Sequence, residues 1–116
     1  MAKYLILIYG DEQKWAQATP QWHQENGERH RLFIAGAGAA VIAGNELEPT
    51  AKAITLRSNS AGRPQSTDGP FLETKEVVGG YYLLEAGDMD QAVVLAAQIP
   101  EASAPFSGVE IRAIPA

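Results

Sequence analysis

Two strand-like segments of this chain are apolar at nearly every position, and they constrain the fold more than any other feature. Lys3–Tyr9 reads KYLILIY and Gly80–Ala86 reads GYYLLEA, so neither alternates between polar and apolar residues. A strand with one face in water shows that alternation, and a strand buried on both faces does not. Both faces of both strands are therefore predicted to be covered.

Helix boundaries are marked by capping residues. Thr19 is a predicted N-cap with Pro20 at the first helical position, and this helix is expected to reach about Gly36. A second helix is predicted from an N-cap at Asp88, with Gln91 three residues on, as in a capping box. Further strands are predicted at Ala40–Ala43, Ala53–Arg57, Gln65–Thr67 and Ser107–Ile114, and helical turns around Trp15 and within Leu72–Val78, ended by Gly79 and Gly80.

The order of these elements predicts an α+β fold of the ferredoxin-like βαββαβ type, with an extra β-hairpin between its halves. The 116 residues are expected to form a single domain, 1–116. In this fold the first and third main strands lie in the middle of the sheet, which suits the two segments that do not alternate. Two helices cover only one sheet face, so a second copy is predicted to cover the other and form a dimeric α/β barrel.

Composition excludes several classes of function. The chain has no cysteine, which excludes disulfides and thiolate chemistry and fits a cytoplasmic protein. Its net charge is −5 and its cations are scattered, so neither nucleic acid nor a membrane is expected as a partner. No cofactor-binding motif occurs, and no cofactor is predicted.

The segment Thr67–Glu76, TDGPFLETKE, has the densest charge in the chain. One interpretation is structural: Asp68 caps a turn, Gly69 supplies a positive φ, and Phe71 fills the core. The other is functional: Asp68 and Glu73 lie at the mouth of a pocket, where they act as acid or base or position a polar ligand.

The first long helix carries the other candidate residues. Trp22, Asn26, Arg29 and Phe33 share one stripe, and His23, Gly27, His30 and Ile34 form its neighbour. Arg29 is either buried with a carboxylate partner or placed at the edge of the sheet. His23 and His30 are separated by ~10.5 Å along the helix axis. That is too far for one metal ion, so no metal site is predicted, and each is either a functional or an ordinary polar histidine.

The block Thr67–Phe71, followed by Glu73, Lys75 and Gly79-Gly80-Tyr81-Tyr82, resembles the signature of the DGPF branch of YCII-related proteins. The segments Lys3–Tyr9, Gly44–Pro49 and Ser107–Arg112 also resemble that family. The resemblance implies a ferredoxin-like dimeric α/β barrel without a settled activity. It also implies a regulatory partner for some members, an extracytoplasmic-function sigma factor, and a functional histidine on the first helix, for which His23 is the match.

These observations predict a homodimeric small-molecule-binding protein or enzyme that takes a small polar ligand. The predicted catalytic residues are Asp68, Glu73 and His23, and the predicted ligand-binding residues are Arg29, Lys75, Tyr81 and Tyr82. The alternatives are a non-catalytic accessory module that binds a protein such as a sigma factor, and a purely structural homo-oligomer.

Overall fold

The computed structural model describes residues 1–72 and 74–116. The strands are β1 (Ala2–Asp11), β2 (Val41–Glu46), β3 (Ile54–Ser58), β4 (Pro64–Asp68), β5 (Glu76–Ala86) and β6 (Ser107–Ala113). The helices are α1 (Glu12–Gln17), α2 (Pro20–Ala37) and α3 (Met89–Ala96). No helix in the described ranges is long and apolar enough to cross a bilayer.

The main sheet has the strand order β2-β5-β1-β6, with every neighbouring pair antiparallel. The two segments without alternation, β1 and β5, occupy the middle, so the predicted ferredoxin-like α+β fold is confirmed. Strand β2 runs beyond the predicted Ala43 to Glu46, because its backbone pairs with β5 as far as Gly80.

The two faces of this sheet differ in burial. One face packs under α2 and α3, and it holds the buried core residues Tyr4, Ile6, Ile8, Tyr82, Leu84 and Ala86 together with Phe33, Ala92, Ala96 and Ile99. The other face carries Leu5, Leu7, Tyr9, Tyr81 and Leu83, which are only half-buried. We call this second surface the open face. A single chain therefore covers one face of the central strands and leaves the other partly exposed.

Both predicted N-caps are confirmed. The Thr19 hydroxyl accepts a hydrogen bond from the backbone N–H of Trp22 at 3.0 Å, and α2 begins at Pro20. The Asp88 carboxylate accepts one from the N–H of Gln91 at 2.9 Å and starts α3. Each cap satisfies a backbone donor that the first helical turn leaves free. The starts of α2 and α3 are therefore determined by capping residues that are local in the sequence.

The predicted hairpin forms a separate two-stranded sheet of β3 and β4. Its two exposed apolar residues, Ile54 and Leu56, lie on one side of β3. At its base Gly69 has a φ of 97°, as the turn interpretation predicts, and its N–H donates to the carbonyl of Ala53 at 2.6 Å. The hairpin is almost wholly exposed and is not part of the main sheet.

The helical turns predicted within Leu72–Val78 are wrong where the segment is described. Strand β5 begins at Glu76, and Val77 and Val78 pair with β1, since β-branched side chains suit a pleated strand. Gly79 and Gly80 continue this strand instead of ending a helix. Phe71 is 59% exposed, so the expectation that it fills the core is also wrong.

Candidate functional site

A cavity of about 560 Å³ lies between α2 and the glycine-rich ends of β2 and β5. The second stripe predicted for the helix, His23, Gly27, His30 and Ile34, lines it, together with Trp22 and Asn26. Trp15 of α1 and Glu101 complete part of the wall. The cavity thus combines indole rings with titratable side chains on one helix face.

Glycines make room for the aromatic side chains of this cavity. A Cβ atom at Gly44 would lie 2.4 Å from Cδ1 of Tyr82, so only glycine lets the tyrosine ring lie against β2. A Cβ at Gly79 would lie 2.6 Å from Cζ3 of Trp15. The indole is also anchored, because its Nε1–H donates to the Ser107 hydroxyl at 3.0 Å. The glycines therefore shape the site and do not mark the end of an element.

Three side chains at the inner end of the cavity form a hydrogen-bonded chain, which we call the relay: Glu101, His30 and Tyr82. His30 Nε2 lies 3.0 Å from Glu101 Oε2 and 2.7 Å from Oε1. His30 Nδ1 lies 2.7 Å from the Tyr82 hydroxyl oxygen. Glu101 Oε1 has no aligned donor among the described residues, although the imidazole is near. The three groups are arranged in the order carboxylate, imidazole, hydroxyl.

Separate elements hold each member of the relay. His30 and Asn26 are four residues apart on α2 and face the sheet together. The Asn26 amide donates to Glu101 Oε2 at 2.9 Å, which fixes the carboxylate. Glu101 itself lies in the short 3₁₀ turn that follows α3. Tyr82 lies in β5, where the Phe33 ring packs edge-on against it with centroids 5.0 Å apart.

Burial and hydrogen bonding together set the protonation states of Glu101 and Tyr82, the two ends of the relay. Glu101 is 5% exposed, yet its pKa lies below the ordinary value: burial alone raises it, but hydrogen bonds from His30 and Asn26 together outweigh that effect. Burial, with the nearby Glu101 charge, raises the pKa of Tyr82 to about 12. At neutral pH the relay therefore has an anionic carboxylate at one end and a neutral phenol at the other.

These states define the direction of the hydrogen bonds. An ionised carboxylate only accepts, so the Nε2–H of His30 donates to Glu101. Nδ1 of the neutral imidazole is then the acceptor, and the Tyr82 hydroxyl donates to it. The remaining lone pair of the Tyr82 oxygen is available to a ligand. The arrangement can accept a proton at Tyr82 and pass one to His30.

Three of the predicted site residues line the cavity: His23, Tyr81 and Tyr82. Tyr81 and Tyr82 point to opposite sheet faces, and the Tyr81 hydroxyl accepts a hydrogen bond from Asn45 at 3.1 Å. Arg29 is exposed and lines a separate, more open hollow of about 300 Å³ beside α3. The placement of Arg29 at an edge agrees with the second interpretation of its stripe.

The remaining predicted residues lie elsewhere. Asp68 is exposed at the end of β4 and does not line the cavity. Lys75 is exposed, with Nζ 3.9 Å from Oδ2 of Asp11, the N-cap of α1. Glu73 lies outside the described residues. Their roles stay predictions. Within the described ranges no group of three or more His, Cys, Asp or Glu residues is suited to a metal ion.

Sequence reasoning did not assign His30 or Glu101 to the site. The polar residue Asn26 on a buried helix stripe was the signal that a partner was required. That partner is Glu101, 75 residues away in the chain. A contact over such a separation leaves no local pattern, so this carboxylate cannot be chosen over the others from the sequence.

The fold and the cavity together define a small α+β domain with a polar cavity under α2. A family model for the YCII-related domain matches residues 2–115, and the chain belongs to that family, which confirms the resemblance seen in the sequence. A relative from Rhizobium meliloti (strain 1021), described as uncharacterized protein R00369, is 33% identical over 117 residues. The match covers 94% of this chain and 89% of that protein.

A solved structure is also similar to this chain. It is 5-chloro-2-hydroxyhydroquinone dehydrochlorinase (TftG) from Burkholderia phenoliruptrix AC1100, in complex with 2,5-dihydroxybenzoquinone. The two share 18% sequence identity, with 93% of this chain and 90% of the other covered and a TM-score of 0.46. A likeness of this size gives no information about what this chain binds.

Proposed function

We propose that this protein is an enzyme that binds a small polar ligand in the cavity under α2 and moves a proton through the relay. The observation that carries the proposal is the unbroken chain from Glu101 through His30 to Tyr82 at the wall of the cavity. A buried carboxylate that orients an imidazole toward a third group is the arrangement used to activate an acid or base.

The proposed step keeps every proton accounted for. A ligand O–H donates its proton to the Tyr82 oxygen while the Tyr82 proton moves to Nδ1 of His30. One ligand O–H bond and one tyrosine O–H bond break, and one new O–H and one N–H bond form. The ligand keeps the electron pair, and Glu101 stabilises the imidazolium through Nε2–H. The reverse transfer returns the proton to the product.

The high pKa of Tyr82 supports a bridging role for its hydroxyl. A phenol with a pKa of about 12 does not exist as a standing anion at neutral pH. It can still give its proton to His30 in the same motion in which it receives one, so no buried phenolate is required. Asn26 acts as a positioning residue, because it touches only the carboxylate.

A thermal-shift screen of small polar metabolites tests this proposal. We expect compounds that raise the melting temperature of the wild type to lose their effect in Tyr82→Phe, which removes one relay oxygen. Tyr9→Phe is the matched control, since Tyr9 lies on the open face. Equal stabilisation of the wild type and Tyr82→Phe by every compound would contradict the proposal.

The proposed working form is a homodimer that pairs through the open face. Support comes from the exposed surface of one chain, 8062 Å². A monomeric protein of 12.4 kDa exposes roughly 6,100 Å². The radius of gyration, 16.0 Å, also exceeds the roughly 13 Å expected of a compact domain of this length. Both differences fit a flat subunit that buries one face against a copy of itself.

Light scattering during size-exclusion chromatography tests the dimer. Leu7→Glu places a charge in the middle of the open face and is expected to give a monomer. Val94→Glu is the control, because Val94 is 65% exposed on α3, on the other side of the sheet. A wild type that elutes as a monomer would contradict this assignment.

The accessory role, the cytoplasmic location and the roles of Asp68, Lys75 and His23 stay predictions. The accessory role with a sigma factor as partner and the cytoplasmic location are neither favoured nor opposed by the geometry of the cavity. Functional roles for Asp68 and Lys75 would require the assembled dimer to bring the exposed hairpin base to a site. The predicted role of His23 is compatible with its place in the cavity wall.

A further inference from the structure

The charges that line the cavity all belong to acids and histidines. Glu101 lies at its inner end and Glu46 at the end of β2, and His23 and His30 lie on α2. Among the described residues of the wall there is no lysine or arginine. Arg29 of α2 lines the separate hollow beside α3 instead.

This distribution opposes an anionic ligand. Sites for carboxylates and phosphates supply arginine, lysine or several convergent N–H donors. Here the imidazole that faces the cavity end is already bound at both nitrogens, by Glu101 and by Tyr82. A ligand carboxylate near the relay would meet the Glu101 charge in a site where water screens it poorly.

The hydrogen-bonding groups of the relay favour a ligand that donates. The Tyr82 proton is committed to His30, so its oxygen offers only a lone pair to the cavity. Glu101 Oε1 is fully buried, so the Tyr82 oxygen is the acceptor that the relay presents to the cavity. A ligand hydroxyl can donate to this oxygen, and a carboxylate cannot.

The shape of the wall adds a second restriction. The Trp15 indole lies against Gly79, and the rings of Trp15 and Trp22 both line the cavity. Indole surfaces accommodate a flat molecule and favour its burial.

We infer that the cavity takes an uncharged, flat, hydroxyl-bearing molecule and rejects carboxylates of the same shape. This inference rests on the proposed relay, because it uses the Tyr82 oxygen as the acceptor for the ligand hydroxyl. It names a class of ligand for that site that the relay alone leaves open.

The test uses two probes that differ in one group, 4-hydroxybenzyl alcohol and 4-hydroxybenzoate. Both carry the same phenolic hydroxyl, and only the second is an anion at neutral pH. Ligand-observed NMR titration of the full chain gives both dissociation constants. We expect the alcohol to bind ~tenfold more tightly than the benzoate. This corresponds to roughly 1.4 kcal/mol, which lies between the values for a charge contact of ~4 Å in bulk water and near a protein surface. Equal or tighter binding of the benzoate, or no binding of either, would overturn the inference.

Two variants separate this inference from the relay proposal. Glu46→Gln removes the second acid of the wall without touching the relay, and it is expected to reduce the preference for the alcohol severalfold. Tyr82→Phe is expected to weaken the binding of the alcohol. If benzoate is preferred and Tyr82→Phe weakens it, the relay stands and the charge inference fails. If the alcohol is preferred and Tyr82→Phe leaves it unchanged, the relay fails and the charge inference stands.

Discussion

The relay and the hairpin base both hold charged side chains. Among the described residues, those of the relay are hydrogen-bonded to one another, and Asp68 and Lys75 at the hairpin base are not. In the relay, Glu101 is buried and bonded to His30 and Asn26. At the hairpin base, Asp68 and Lys75 are exposed, although their segment has the densest charge in the sequence. Charge density along the chain therefore does not locate the site, whereas buried polar groups that need partners do.

The largest expected difference between the two regions concerns stability. Glu101→Ala leaves His30 and Asn26 without their buried partner, and we expect the free energy of unfolding to fall by about 3 kcal/mol. Asp68→Ala removes an exposed carboxylate and is expected to change it by less than about 0.5 kcal/mol. Urea unfolding followed by circular dichroism measures both. Similar losses for the two variants would remove the distinction between the regions.

The acid dependence of stability is expected to show part of the same contribution. The pKa of Glu101 lies below its ordinary value of 4.5, so folding favours the ionised form. This stability is fully present above the unfolded-state pKa and is lost as pH falls through the lower folded-state pKa. Over that pH range, the free energy of unfolding should change less with pH in Glu101→Gln than in the wild type. Asp68→Asn should keep the wild-type slope, and an unchanged slope in Glu101→Gln would count against an ionised, hydrogen-bonded Glu101.

Tyr82→Phe is expected to cost about 1 kcal/mol through the lost hydrogen bond to His30. The wild type should also lose stability at alkaline pH. Because the folded-state pKa of Tyr82 is raised from 10.0 to about 12, this contribution is present below pH 10 and lost as pH rises toward 12. Ultraviolet titration of tyrosinate should lose its highest-pKa component in Tyr82→Phe, and a titration that keeps this component would show that another tyrosine carries it.

The smallest expected effect sharpens the description of the hairpin base. The Arg57 guanidinium lies over the Phe71 ring, 4.5 Å from its centroid, on an exposed surface. Phe71→Ala should lower the free energy of unfolding by about 0.5 kcal/mol, the value for exposed cation–π pairs. A loss as large as that of Glu101→Ala would mean that Phe71 is buried in the proposed homodimer. Measurement at protein concentrations low enough to dissociate the proposed homodimer distinguishes an exposed ring from a buried one.

Much of the fold follows from local signals in the sequence. Thr19, Pro20 and Asp88 mark the helix starts through short-range capping. The unbroken apolar runs of β1 and β5 indicate that these strands lie in the middle of the sheet. The helical turns predicted within Leu72–Val78 are wrong at Val77 and Val78, because these residues pair with the distant strand β1. Pairing across the sheet overrides such local preference.

The candidate site follows from the sequence only in part. The helix periodicity placed His23, Gly27, His30 and Ile34 on one stripe, and that stripe lines the cavity. Periodicity cannot show that the 3₁₀ turn after α3 brings Glu101 under the same helix. The relay depends on that one tertiary contact, so it is visible only in the folded chain.

Nitrogen-15 NMR of the His30 side chain tests the central claim most directly, because it reports which ring nitrogen carries the proton. With the protein at neutral to slightly alkaline pH, we predict a proton on Nε2 and a hydrogen-bonded, unprotonated Nδ1 whose shift changes in Tyr82→Phe. A proton resident on Nδ1, or averaging between the two nitrogens that Tyr82→Phe leaves unchanged, would contradict the relay.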